Sequence, residues 1–290
     1  TEFGGSAAIE AGADGLVFAN NIFSLKALVL DTAAFTLTLN GNINNNAAWG
    51  VTKNGAGTLI LGGTNNFTGG FTVNGGTVVA ASDAAMGAGS AVFADGTTLR
   101  RGGTGARNVF NGLQLNGAVT LDTAGDNFFI NAPVSGAGGL TIVNTAGNSF
   151  TGQAALGNVN SYMGGTTVDG AGVFVTADSG LGDAAGGLTL RNAQLATNAS
   201  WASGRSVVLD GDFGQVAIFN SSTLTLNGDV SGSQLRLAGD GTLVLNGNNS
   251  YTGGTTAAIG TTLQLGNDGA AGTGSIALAG ATLAFGNNLT

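Results

Sequence analysis

Apolar and polar residues alternate along this chain in runs of about four, and each run stops at Gly, Asn or Asp. Thr58-Leu59-Ile60-Leu61 is typical: a period of two puts Leu59 and Leu61 on one side and Ile60 on the other, which is the pattern of a half-buried strand. Residues 62–66 then turn, Phe71-Thr72-Val73 resumes, and Asn74-Gly75-Gly76 turns again. Leu28, Leu30, Leu37 and Leu39 are expected inward in the same way, and so are Leu243 and Leu245, with Val244 outward. No segment has the length or the period of a helix.

The stretch Gly55 to Ala80 returns twice with small edits, around Tyr162 (Asn160 to Val175) and around Tyr251 (Gly239 to Leu265). The aromatic anchors Phe67, Tyr162 and Tyr251 stand 95 and 89 residues apart. That is too long for one solenoid rung, so each unit holds about four or five rungs of ~20 residues. Strands this short cannot each bury a face alone and must stack. The predicted fold is all-β, a parallel β-helix (β-solenoid) forming one elongated rod over residues 1–290, with ~14 coils at a ~4.8 Å rise. An antiparallel membrane barrel would need strands of ~9–11 residues and aromatic girdles, and the sequence has neither.

Composition sharpens this picture. Gly occurs 54 times and Pro once, 43% of residues are hydrophobic and 8% charged. Disordered chains rich in Gly are also rich in Pro and poor in apolar strands, so this chain is folded, with many turns that need positive φ. The formal net charge of −8 leaves eight basic residues, too few to attract nucleic acid or an anionic membrane. There is no leader-like segment and no apolar run of ~18 residues, so no direct membrane insertion is expected. Thr1-Glu2-Phe3 reads as a possible cloning remnant.

The phrase GAGTLxLxGxNxYTGGTTVxxGTL resembles the autotransporter-associated β-strand repeat of bacterial type V secreted passengers. It matches best at Gly55 to Val79 and Gly239 to Leu265 and more loosely at Asn160 to Val175. Flanking stretches at Ser82 to Leu99, Ser179 to Leu195 and Asn267 to Leu283 bring the resemblance to about two thirds of the chain. It implies a right-handed β-helix at a Gram-negative cell surface or released from it, often within an adhesin. On that reading the chain is a passenger fragment whose translocator lies outside it, and the absence of Cys suits a chain exported unfolded. The implied role is a non-catalytic adhesin stalk that binds a host-surface or matrix molecule or a glycan, or associates with itself.

The alternatives are a carbohydrate-active β-helix enzyme and a subunit of an end-to-end filament. With no His and no Cys, the chain has no Ser-His-Asp or Cys-His nucleophile system and lacks the usual zinc ligands. The remaining carboxylate candidates are Asp210 and Asp212 near Arg205, Asp122 with Asp126, and Asp178 with Asp183; Asp beside Gly reads first as a turn residue. Gly12 to Leu16 and Gly239 to Leu243 only echo a Ca²⁺-binding repeat, so no metal and no cofactor is expected.

Arg100, Arg101 and Arg107 form the one basic cluster and, with Tyr162, the candidate binding surface for an acidic glycan or a carboxylate; the competing reading is a solvated loop. Trp49 and Trp201 read either as sugar platforms or as caps on the core. The pairs Thr36/Thr38 and Thr223/Thr225 resemble flat threonine faces but are not repeated on every coil. The anchor phrase occurs twice in the middle unit, at Ser149 to Gly152 and Ser161 to Gly164, which predicts that Gln153 to Asn160 leaves the wall as a lateral loop.

Overall fold

The computed structural model describes residues 6–45, 48–147 and 150–286. All strand pairs among these residues are parallel, and the chain winds through about 13 turns of a β-solenoid. There is no α-helix among the described residues, only one 3-10 turn at Asp178–Leu181. The first coils have three walls each: Ala7–Glu10, Leu16–Phe18 and Ile22–Ser24 pair with Leu28–Asp31, Thr36–Leu39 and Ile43–Asn45 of the next coil. A full coil takes 19 to 26 residues, from Thr58 under Thr77 to Leu140 under Thr166.

Side-chain alternation follows the backbone ladder. Leu59, Leu61, Leu243 and Leu245 are fully buried, while Ile60 and Val244 face outward and are half-exposed. Like residues stack on like: Leu224, Leu243, Leu263 and Leu283 form one column. Outside the second wall, Thr36, Thr58, Thr77, Thr98, Thr120, Thr141, Thr167 and Thr189 form an unbroken threonine ladder over eight coils. The next outward row is mixed, with Thr38, Ile60, Val79, Arg100 and Asp122 in succession. The paired threonines therefore do not extend into a flat double row.

The three anchors lie on three different walls. Phe67 sits on the third wall of the third coil, after the strand Thr58–Leu61 and before Phe71–Val73. Tyr162 continues the first wall, where Ser161 N–H donates to Val134 C=O, and belongs to the eighth coil. Tyr251 continues the second wall in the twelfth coil, where Ser250 N–H donates to Val230 C=O. Each unit is thus four and one third coils long, and each anchor is carried one wall further round the rod. The spacing of 95 rather than 89 residues comes from one enlarged corner in the middle unit. Phe128 pairs with Ala154 and Leu140 with Thr166, both 26 residues on, so the extra residues lie between Val143 and Gln153.

This corrects the expectation for Gln153 to Asn160. Gln153–Leu156 is a wall strand, paired with Phe128–Ile130 on one side and Gly172–Phe174 on the other. Asn160 is also part of the wall, and the excursion precedes it in the sequence. Ser149, in the duplicated phrase, lies outside the described residues. Three strands are longer than the sequence pattern suggests: Leu188–Thr197, Val207–Ile218 and Val230–Gly239 run through a corner without a break in the strand. Bulges between Arg191 and Ala193 and between Leu209 and Phe213 make the bend, with Gly211 and Gly232 at positive φ.

The anchors share one local structure. The Asn two residues before each aromatic is buried and bridges three coils. Asn65 accepts from Ile43 N–H (2.7 Å), Asn160 from Val134 N–H (2.8 Å) and Asn249 from Val230 N–H (2.7 Å). Their Nδ2 groups donate to the carbonyls of Ala85, Gly180 and Ala270 in the following coil. The aromatic ring lies under a glycine of that coil, Gly87, Gly182 or Gly272, all at positive φ. A Cβ there would meet the ring at 2.7, 2.7 and 3.0 Å, so only glycine fits. Tyr162 and Tyr251 hydrogen-bond Thr166 and Thr255 (2.6 and 2.8 Å); Phe67 has no hydroxyl, and Phe71 takes the threonine's place, ring to ring at 6.1 Å.

Three cations, Lys53, Arg101 and Arg205, are buried. Lys53 is 0% exposed, and its Nζ donates to Thr32 Oγ1 and to the carbonyls of Asn54, Gly55 and Gly75. Burial pushes its ammonium down to about 8, opposed by the charge of Asp31. Burial also pushes the Tyr162 phenol up, to about 12.

Three outcomes are expected. Leu245→Asp puts a carboxylate into the core and costs several kcal/mol, about 3 or more, whereas Val244→Asp stays within about 1 kcal/mol; equal urea midpoints would contradict the register. Asn249→Ala leaves the Val230 N–H and the Ala270 C=O buried without partners and costs about 2–4 kcal/mol, read as a urea midpoint against the exposed control Asn227→Ala. Between pH 8 and 10, unfolding takes up a proton at Lys53, because the folded state has lost it and the unfolded chain, at 10.5, has not. Stability therefore rises with pH across that window, then falls above pH 10 as the unfolded tyrosine ionises before the folded one. The rise is absent in Lys53→Met.

Candidate functional site

The basic cluster does not form one surface. Arg101 points inward from the strand Thr98–Arg101 and is 7% exposed. Its Nε donates to Thr123 C=O, which also accepts from Asp126 N–H, Nη1 to Gly103 and Gly105 C=O, and Nη2 to Ala124 C=O, so the guanidinium closes a corner of backbone carbonyls. Arg100 faces outward and pairs with Asp122 at 3.2 Å. That carboxylate is itself held by Ala124 N–H, Thr145 N–H and Thr145 Oγ1. Arg107 is half-buried beside Asp83, and its Nε is buried without a partner. Tyr162 is 0% exposed and contributes nothing to any surface. An arginine triplet next to glycines reads as a solvated loop, but here the fork geometry of guanidinium satisfies a turn of backbone oxygens.

The carboxylates are dispersed in the same way. Arg205 lies far from Asp210: it is buried, its Nε bonds Asp178 at 2.7 Å, and its other nitrogens reach the carbonyls of Leu181, Gly182, Asp183 and Gly186. Asp210 instead pairs with the exposed Arg191 at 2.7 Å, and Asp169 approaches the same guanidinium at 3.7 Å from the other side. The Gly211 N–H, followed by Arg191, holds the Asp210 carboxyl below its usual range. Among the described residues no group of three His, Cys, Asp or Glu is close enough to hold a metal ion. Trp201 is half-buried against the core, with Nε1 on Thr197 Oγ1 at 2.9 Å, whereas Trp49 is 43% exposed.

The surface feature that motif reading missed is on the third wall of coils six to eight. Phe129, Ala155 and Phe174 are successive members of one outward row. The two rings stand two coils apart, roughly 9.6 Å, with only a methyl between them. They flank a lateral cleft of about 210 Å³ whose remaining lining is Asn127 and Gln153. Gln153 reaches across Gly172, where a Cβ would lie 2.8 Å from its Cγ, to bond the buried Gln194 at 2.7 Å. Asn127 Oδ1 accepts from Gln153 N–H at 3.1 Å. Separately, Phe150 of the enlarged corner stands edge-on to Phe213, with Arg236 3.8 Å above the Phe213 ring. In the sequence the only trace of this is Phe at two outward positions where most coils carry Thr or Ala.

Known families agree with the architecture. The passenger-associated transport repeat matches residues 51–80 and 235–265, the segments that hold Phe67 and Tyr251. A curated relative, the adhesin BmaC autotransporter of Brucella suis biovar 1 (strain 1330), is 33% identical over an alignment covering 78% of this chain. The chain spans about 7% of that adhesin's length. No solved structure matches the chain. The chain carries passenger-associated transport repeats and is similar to part of an autotransporter adhesin, a likeness that implies a surface-exposed passenger of a protein anchored in the outer membrane.

Proposed function

We propose that this segment is a non-catalytic part of an adhesin, acting as one continuous rod that spaces and presents contact surface toward a host-surface or matrix molecule. The observation that carries the reading is where the ionisable side chains are spent. Arg101, Arg205 and Lys53 close corners from within, and Asp122 and Asp178 hold them or their neighbours. An enzyme acting on polysaccharides needs acid and base converging on one bound bond, within the separations that glycoside hydrolysis requires. Here Asp169 and Asp210 stand in one row but are both paired with the Arg191 between them, Asp122 is held by Arg100 and Thr145, and Asp178 is spent on Arg205. The relative's description as an adhesin supports the same reading. Some 13 coils at ~4.8 Å give the rod a length of roughly 60 Å.

The test has two arms. Beads coated with the chain are expected to attach to host-cell or matrix surfaces above the level of uncoated beads; attachment no better than uncoated would remove the adhesive role. Incubation with acidic and neutral polysaccharides is expected to release no reducing ends and no unsaturated uronides. Release that disappears in Asp210→Asn or Asp178→Asn would make the segment an enzyme.

A further inference from the structure

We propose that the lateral cleft between Phe129 and Phe174 is a binding subsite for one neutral sugar ring of a glycan chain. This deepens the adhesive reading and rests on it, by naming the place on the rod and the chemistry of the ligand.

The geometry is that of a slot. The ladder fixes Phe129 and Phe174 on the same outward row with Ala155 between them, so the floor is a methyl group and the two sides are aromatic. Both rings are partly exposed. Apolar side chains held open in this way present a face that water solvates poorly and that the C–H face of a pyranose covers well. A slot of about 210 Å³ has room for a single ring, and it opens sideways, so a chain can continue out of it at either end.

The polar lining selects for hydroxyls. Gln153 spends its Nε2 on the buried Gln194 Oε1, which leaves Gln153 Oε1 as an acceptor in the cleft. Asn127 has its Oδ1 on the Gln153 N–H, which leaves its Nδ2 to donate. Gln194 is 7% exposed and held by the Gln153 bond, and Gln153 reaches it only because residue 172 is Gly, so the amide pair is preorganised. No charged side chain lines the cleft, and the chain as a whole carries −8. A sialylated or sulfated sugar gains no cation here and meets an unfavourable field, whereas a neutral sugar loses nothing. A cationic peptide finds no carboxylate in the lining.

The probes are neutral oligosaccharides, namely chitotriose, cellotriose, mannotriose and lactose, with sialyllactose as the charged arm, titrated against the 290-residue chain by saturation-transfer NMR and calorimetry. Two variants act on the slot without touching the core: Ala155→Leu fills it, and Phe174→Ala removes one side. At least one neutral sugar is expected to bind, to lose at least tenfold in affinity in each variant, and to bind better than sialyllactose, with circular dichroism and melting unchanged. Absence of binding by all four neutral sugars, binding that survives both variants, or equal binding of sialyllactose would overturn the proposal. Bead attachment separates it from the adhesive reading. Attachment undiminished by Ala155→Leu leaves adhesion standing and the slot refuted, and loss of attachment in step with sugar binding supports both.

Discussion

Every coil of this rod must return to its starting point with its strands beneath those of the next, because the only partners for its wall N–H and C=O groups are one coil away. The walls meet that requirement by parallel pairing. The corners cannot, since the backbone there bends out of the ladder, and most of what is unusual in the sequence serves to satisfy them. Gly supplies positive φ, Asp and Asn side chains accept turn N–H groups, and Lys53, Arg101 and Arg205 donate into clusters of carbonyls. Three of the eight basic residues are consumed by this task, Arg101 of the RRGGTGAR cluster among them, and for that reason a basic cluster in the sequence does not become a basic surface.

The anchors resolve the hardest version of the same problem. Around Phe67, Tyr162 and Tyr251 a wall gives up its regular strand for two coils, and a buried Asn restores the link between them by accepting from the coil before and donating to the coil after. The aromatic ring fills the space that the missing strand side chains leave, under a glycine that lets it in. Since each unit is four and one third coils long, successive anchors fall on successive walls. Were they stacked on one side, the irregular wall would run down a single face of the rod.

Much of this was legible in the sequence. The period-two runs place Leu59, Leu61, Leu243 and Leu245 inside, the repeats fix the anchors, and scarce Pro with abundant Gly points to stacked strands with tight turns. The rest was hidden for physical reasons. Asn65, Asn160 and Asn249 stand among turn residues and carry no mark of burial, because the same amide serves a turn or a three-coil bridge. The stretch Gln153–Leu156 follows a duplicated phrase and reads as a loop, yet its alternation of Ala154 and Leu156 inward is that of a wall. The slot at Phe129 and Phe174 depends on which residues lie one coil apart, and the 26-residue coil between them breaks any fixed offset by which a reader would align them.

The central claim is that the anchor asparagines are structural links between coils and not turn residues. Native-state hydrogen exchange tests it most directly, at the Ile43, Val134 and Val230 amides whose only acceptors are those side chains. They are expected to exchange as slowly as the amides of the fully paired strand Thr242–Leu245, opening only when the surrounding coils unfold. Exchange at the rate of exposed turn amides, with the neighbouring strand still protected, would contradict the account.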